Sequence, residues 1–133
     1  MAKLGHYTVT LKKVHREWGT HRYTGSRGDV YGEGYIPIPL EKAQSLEIYN
    51  SNATAGRDNY GKNLFHCTSR DGNFEGILKA QGCKAEGDIY AKQFSGNDDL
   101  KAIGSWYAAI NAKIGDRVKV TITAEDTIEI EKI

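Results

Sequence analysis

Apolar and polar residues alternate along several short segments of this chain, and that pattern restricts its fold more than any other feature. Alternation with a period of two is typical of strands that bury one face. It predicts strands at 6–14, 64–69, 74–83, 89–95, 115–123 and 127–133, and a short strand at Tyr35, Ile36 and Ile38. Turn-forming sequences, such as SRDGN at 69–73 and KAEGD at 84–88, separate several of these segments.

Two other segments have the 3.6-residue spacing of helices. Pro39 precedes the first, whose apolar positions are Leu40, Ala43 and Leu46. Asn97 is the expected N-cap of the second, whose apolar positions are Leu100, Ile103, Trp106, Tyr107 and Ile110. Because helices do not regularly interrupt the strands, the sequence predicts a mainly β (α+β) fold. We expect a seven-stranded, mostly antiparallel barrel with two helices covering its ends.

The length of 133 residues predicts a single domain spanning 1–133. The chain has no 18-residue apolar run and its start lacks the hydrophobic centre of a signal peptide, so we expect a cytoplasmic protein without a membrane partner. Cys67 and Cys83 lack metal-binding spacing, which indicates reduced thiols and no structural zinc.

The segment 16–31 is too polar and too rich in glycine to form part of a core. It interleaves cationic and aromatic residues with glycines, in the order Arg16, Trp18, His21, Arg22, Tyr23, Arg27 and Tyr31. Guanidinium groups and flat rings on a pliable loop suit phosphates and base edges. Five basic against three acidic residues between positions 12 and 35 give a local charge of +2, whereas residues 94–133 carry −2. This gradient is compatible with one binding face and one solvated back.

A second segment, 79–93, has polar side chains suited to reading bases along a predicted hairpin. Arginine and lysine can read guanine, glutamine can read adenine, and aspartate can accept a hydrogen bond from cytosine. The segment offers Lys79, Gln81, Lys84, Asp88, Tyr90, Lys92 and Gln93. An ordinary solvent-facing hairpin would have a similar composition, so this segment counts mainly in combination with the first.

Two alternatives to nucleic-acid binding remain open at this stage. Asp29, Glu33 and His21 lie close in sequence and could serve a small metal-dependent nuclease or hydrolase. Exposed aromatic residues could instead face a partner subunit in a protein-interaction module. The sequence has no recognisable nucleophile, nuclease or zinc-helix motif, which favours a domain with no catalytic residues, no metal and no cofactor.

The order of elements, with Tyr35-Ile36-Pro37-Ile38-Pro39 entering a helix and Ile114-Gly115-Asp116-Arg117-Val118 entering a strand, resembles the DNA-binding pseudobarrel family. That family includes plant transcription-factor domains and the DNA-recognition domains of bacterial restriction endonucleases, and the bacterial branch looks closer. The resemblance implies two arms that enter the major groove from either side of the barrel. By position, the N-arm is 16–31 and the C-arm is 79–93.

The resemblance therefore implies sequence-specific binding of double-stranded DNA, as the recognition domain of a restriction enzyme whose nuclease domain or subunit lies elsewhere. We expect Arg22, Arg27 and Asp29 to read bases, and Lys12, Lys13, Lys62 and Lys84 to contact phosphates. The complete set of expected DNA-binding residues is Lys12, Lys13, Arg16, Trp18, His21, Arg22, Tyr23, Arg27, Asp29, Tyr31, Lys62, Lys79, Gln81, Lys84, Asp88, Tyr90, Lys92 and Gln93.

Overall fold

The computed structural model describes residues 2–12, 34–51, 59–82, 89–99 and 101–133. These residues form seven strands and two helices. In chain order they are β1 Gly5–Thr10, β2 Ile36–Pro37, α1 Leu40–Leu46, β3 Leu64–Ser69, β4 Glu75–Gln81, β5 Gln93–Gly96, α2 Ala102–Ala109, β6 Arg117–Ala124 and β7 Thr127–Lys132. None of the helices within these ranges is long and apolar enough to cross a bilayer.

The strands form one seven-stranded sheet in the order β1-β6-β7-β3-β4-β5-β2, which curves into a nearly closed barrel. Five of its six strand pairs are antiparallel, and β3 pairs with β7 in parallel. The expected mostly antiparallel pseudobarrel with two helices is therefore confirmed. Its physical basis is the alternation along each strand, which gives every segment one apolar face to turn towards a shared interior.

Strand directions place successive connections at opposite ends of the barrel. Strands β1, β3, β5 and β7 run one way, and β2, β4 and β6 run the other. The connections β1–β2, β3–β4 and β5–β6 consequently share one end with α2, which we call the α2 end. The connections β2–β3, β4–β5 and β6–β7 share the other end with α1, which we call the α1 end. One helix therefore lies at each end.

The core combines the inward faces of the strands with one side of each helix. Phe65 and Phe94 meet edge to face inside the barrel, with ring centroids 5.7 Å apart. Among the described residues, Trp106 is the largest fully buried side chain. The helical stripe predicted around it is confirmed at Ile103 and Tyr107, which are buried, and at Ile110, which packs against the core. The stripe's first predicted member, Leu100, lies outside the described residues.

The start of α2 differs from the expectation, because Asn97 does not cap the helix. The helix begins at Ala102, and Lys101 occupies the N-cap position without a side-chain hydrogen bond. An additional turn separates β5 from α2, in which Asp98 has a φ of 59° and the Asp99 carboxylate accepts a hydrogen bond from the Lys101 amide at 3.0 Å. Helical periodicity located the buried stripe correctly. The N-cap prediction was wrong because Asp98 and Asp99 form a turn before the helix, which begins only at Ala102.

The predicted strand 89–95 also begins later than expected, at Gln93. Residues 89–91 pair instead with the segment that follows α1, through hydrogen bonds from the Asn50 amide to the Ile89 carbonyl (2.9 Å) and from the Ala91 amide to the Ile48 carbonyl (3.1 Å). Residues 89–91 could instead have extended β5. Their proximity to residues 48–50 in the folded chain decides which pairing forms. The described part of the predicted 79–93 hairpin is confirmed as the pairing of β4 with β5.

The turn between β3 and β4 is attached to α2 through Asp71. Its carboxylate accepts hydrogen bonds from the Ser69 hydroxyl (2.7 Å), the Asn73 amide (2.8 Å) and the Trp106 indole (3.1 Å). Partial burial would raise the pKa of Asp71, but these hydrogen bonds favour the ionised form and together hold its pKa below the ordinary value. The carboxylate thus connects a surface turn to the largest side chain of the core.

Replacing Asp71 by asparagine is expected to lower the free energy of unfolding by about 1 kcal/mol at neutral pH, since the group is largely exposed. Because folding lowers the Asp71 pKa, its contribution is present above the unfolded-state pKa of about 3.9 and is lost as pH falls through the folded-state value. Urea unfolding from neutral to acidic pH should show the two proteins converging. Glu125→Gln in the exposed β6–β7 turn is the control, and an equal effect of both substitutions would contradict the role given to Asp71.

Candidate nucleic-acid interface

The two predicted arms begin and end at identifiable points on the barrel. The segment 13–33 leaves after Lys12 and rejoins at Gly34, at the α2 end, whereas 83–88 leaves after Gly82 and rejoins at Ile89, at the α1 end. Backbone hydrogen bonds fix the first departure point, because the Leu11 amide donates to the Asp116 carbonyl at 2.8 Å. Both segments lie outside the described residues. The structure therefore shows where each of them joins the barrel.

Strand register gives the spacing of the attachment points. Ile36 pairs with Phe94 in the antiparallel β2–β5 ladder. Gly34, two residues before Ile36, therefore lies at the level of Gly96, which is two residues after Phe94. Gly96 in turn pairs with Leu78 on β4. Gly82 lies four residues beyond Leu78, a distance of roughly 13 Å along the strand direction at 3.3 Å per residue. The major groove of B-DNA is about 12 Å wide, so this spacing is of the same order.

A polar face of the sheet lies between these attachment points. We call it the β4–β5–β2 face; its positions alternate with core residues and are Ile77, Lys79, Gln81, Gln93, Ser95, Tyr35 and Pro37. Lys79 lies opposite Ser95, and Gln81 lies opposite Gln93. Ser95, which its neighbours cover, donates a hydrogen bond to Gln81 Oε1 at 2.8 Å, which fixes the amide plane and turns Nε2 away from Ser95. With its oxygen held by Ser95, the amide can offer its Nε2 donor to an acceptor on a base edge.

The electrostatic character of the sheet changes around the barrel. Where β4 pairs with β5, none of the outward positions carries an acid; Glu75, the first residue of β4, is exposed on the same side of the strand, before that paired part. By contrast, Glu129 and Glu131 occupy outward positions on β7. Glu131 lies opposite Lys119 and 3.7 Å from the Arg70 guanidinium, so part of its charge is compensated locally. A polyanion would therefore meet less repulsion at the β4–β5–β2 face than at β7.

An aromatic and cationic cluster adjoins the C-arm attachment. The Tyr49 and Tyr90 rings stack with centroids 5.5 Å apart, and Lys62 Nζ lies 5.6 Å from the centroid of Tyr49. Tyr49 and Tyr90 also form a backbone bridge, which holds the returning end of segment 83–88 against the chain that follows α1. Both rings are half-buried and next to core residues, so they can support this attachment while presenting an edge to solvent.

Seven of the eighteen residues predicted from sequence lie within the described ranges, and the structure brings six of them to neighbouring positions. Lys79, Gln81 and Gln93 share the β4–β5–β2 face, Lys92 precedes β5 next to it, and Tyr90 and Lys62 belong to the aromatic cluster. Lys12 lies at the opposite end of the barrel, at the N-arm attachment. The other predicted residues lie outside the described residues: Lys13, Arg16, Trp18, His21, Arg22, Tyr23, Arg27, Asp29, Tyr31, Lys84 and Asp88.

The residues predicted from sequence did not include Tyr49. Its ring stacks on Tyr90 and lies beneath the Lys62 ammonium group, and both of those residues were predicted. Its position at the start of a long polar loop was visible in the sequence, but no local pattern indicates that this loop meets Tyr90. Only the pairing of residues 48–50 with 89–91 brings the two rings together.

The chemistry expected for other classes of site gains no support within the described ranges. They contain no group of three or more histidine, cysteine, aspartate or glutamate side chains placed to hold a metal. Cys67 is buried, and burial raises the pKa of its thiol, which disfavours the reactive thiolate at neutral pH. The residues of the hydrolase alternative, His21, Asp29 and Glu33, lie outside the described residues, as does Cys83.

Comparison with protein-family models, with curated proteins and with solved structures gave no match for this chain.

Proposed function

We propose that this domain binds double-stranded DNA in a sequence-specific manner, with segments 16–31 and 79–93 as its two arms. In this proposal it is the recognition domain of a restriction endonuclease in the cytoplasm, and it performs no catalysis itself. The restriction-enzyme assignment depends on the resemblance of the YIPIP and IGDRV segments to that family, and a nuclease domain or subunit is the implied protein partner.

The observation that carries the proposal is the placement of the two attachment points. Segment 13–33 rejoins the barrel at one end of the β4–β5–β2 face and segment 83–88 leaves from the other end, and where β4 pairs with β5 the outward positions include lysine and glutamine but no acid. Arms rising from both ends of such a face could reach a duplex from either side. The lysines would position the phosphate backbone, and amide or guanidinium groups would read base edges.

The modest net charge of +1 has a consequence for how binding depends on salt. With few excess cations, affinity must come from local concentrations of positive charge, such as the lysines near the β4–β5–β2 face and the arginines of segment 16–31. Each phosphate that the protein neutralises releases counterions. The logarithm of the affinity should therefore fall linearly with the logarithm of the salt concentration.

Selection from a pool of random duplexes tests this function directly. We expect the chain to enrich a short motif, and its affinity for that motif to fall steeply between a low and a physiological salt concentration. A scrambled duplex of the same length and composition is the control. Failure to enrich any motif at either salt concentration would refute the proposal.

Two single substitutions should separate base reading from phosphate contact. Arg27→Ala is expected to cost about 1–3 kcal/mol on the selected duplex and to relax preference at one base position. Lys84→Ala should weaken binding to every duplex alike and reduce the salt slope by about 1. Titrations of both variants against the selected and scrambled duplexes provide the measurement, and uniform losses for both variants would show that Arg27 does not read a base.

A further inference from the structure

The Gln81 side chain lies along the sheet and reaches the neighbouring strand. Gln81 pairs with Gln93 in the β4–β5 ladder, and Lys79 is the residue directly opposite Ser95. The hydrogen bond from the Ser95 hydroxyl to Gln81 Oε1, at 2.8 Å, therefore joins diagonal neighbours on the two strands. Diagonal positions are about 7–8 Å apart, a distance that a long side chain can span. The amide group of Gln81 is consequently held against the β4–β5–β2 face.

Both the backbone and the side chain of Gln81 are fixed. Its carbonyl accepts a hydrogen bond from the Lys92 amide at 2.7 Å. Ser95 is fully buried, so its hydroxyl requires a protein partner, and Gln81 Oε1 is that partner. Among the described residues, none accepts a hydrogen bond from Gln81 Nε2. The amide is thus held by its acceptor atom, and its donor atom is available to a ligand.

The polarity of the available group decides which base edge it fits. In the major groove, guanine presents two acceptors, N7 and O6, whereas cytosine presents the N4 donor. Adenine presents a donor beside its acceptor, and thymine presents a methyl group beside its acceptor. The amide NH2 group has two hydrogens to donate. Guanine therefore matches it at both atoms, cytosine opposes it, and the other two bases match it in part.

We infer that Gln81 selects guanine at one position of the recognised duplex, and that Ser95 is the positioning residue that gives Gln81 this preference. The inference rests on the proposed DNA-binding function and specifies the base that one described side chain reads. It differs from the usual contact of glutamine, which reads adenine by offering its oxygen and nitrogen together. Here the Ser95 hydroxyl engages the oxygen, which weakens the half of that contact in which adenine is the donor.

Gln81→Glu tests the assignment by reversing the polarity of the available group. Glutamate keeps one oxygen for the Ser95 hydroxyl, but its second oxygen is an acceptor and suits the N4 donor of cytosine. Selection from random duplexes should change the preference at one position from guanine to cytosine, and affinity for the parent's motif should fall about tenfold or more. Gln93→Glu, directly opposite on β5, introduces the same charge. This control should weaken binding without exchanging guanine for cytosine at that position.

Ser95→Ala tests the positioning role, because it releases the Gln81 amide without altering it. The freed oxygen and nitrogen can then bind adenine together, so guanine and adenine should be accepted about equally at this position. If the hydrogen bond served only to satisfy the buried hydroxyl, the base preference would not change. NMR relaxation of the side-chain amides provides a readout without DNA: the Gln81 amide should be restricted in the parent and mobile in Ser95→Ala, with Gln93 as the internal reference.

The outcomes distinguish this inference from the proposed function. If the parent chain enriches no motif, both fail. The inference alone is overturned if the parent enriches a motif whose base preferences Gln81→Glu leaves unchanged, or if the parent prefers cytosine at the position that Gln81→Glu alters. An unchanged preference in Ser95→Ala would overturn the role given to Ser95.

Discussion

Phe94→Ala is expected to lower the free energy of unfolding by about 3–5 kcal/mol, which makes it the most destabilising of the substitutions that we propose. Phe94 is fully buried in β5 and meets Phe65 edge to face. Truncation removes both the transfer free energy of the ring and its aromatic contact, and it leaves a cavity that a closed sheet cannot easily collapse. Urea denaturation of the parent and variant measures the difference.

The effect of Phe94→Ala on DNA binding should follow from folding alone. Phe94 faces the interior, whereas Gln93 and Ser95 on either side of it belong to the β4–β5–β2 face. Under conditions where the variant is folded, its affinity for the selected duplex should match the parent's.

Leu40→Ala is the control for the stability measurement, since that side chain is 59% exposed and its truncation should change stability little. A loss below about 1 kcal/mol for Phe94→Ala would show that the barrel interior repacks around the missing ring.

Gly96→Ala is expected to destabilise the fold by about 3 kcal/mol, the upper part of the range for overpacking. A Cβ at Gly96 would overlap with the Asp99 carbonyl oxygen and would lie 2.6 Å from Ala102 Cβ. The nearest atom belongs to the backbone of the turn into α2, so no side-chain rotation can relieve the contact. The chain must shift at the corner between β5 and α2, where Gly96 and Asp99 form a bridge.

Gly76→Ala on the neighbouring strand is the matched control for Gly96. A Cβ there would lie 3.4 Å from the Phe74 ring, an ordinary contact with a side chain that can move. Thermal and urea unfolding of both variants should therefore show a large loss at Gly96 and a small one at Gly76. Similar losses at the two positions would mean that the general preference of strands for non-glycine residues, and not the Asp99 contact, sets the cost of these substitutions.

Most of the secondary structure was predictable because its signals are local. The strand Leu64–Ser69 has the predicted bounds, and α1 begins directly after Pro39 as expected. Errors arose where two local options had similar strength. Asn97 is an acceptable cap, but the turn at Asp98 takes precedence, and residues 89–91 could extend β5 but pair with residues 48–50 instead.

The candidate interface was only partly predictable for a related reason. Residue types suited to DNA could be identified in segments 16–31 and 79–93, since side-chain chemistry is a property of the residue itself. The involvement of Tyr49 could not, because its stacking on Tyr90 joins residues that are far apart in sequence. The same holds for Ser95 and Gln81, whose hydrogen bond joins two strands and spans 14 positions.

Local patterns alone were enough to establish that this chain forms short amphipathic strands and two helices, because alternation and helical spacing are read within a few residues. The parallel pairing of β3 with β7, and which of the two helices lies at which end of the barrel, emerged from the three-dimensional arrangement. So did the attachment of the two arm segments at opposite ends of one polar face. Strand order is selected by how all the apolar faces close around one interior, and no single segment contains that information.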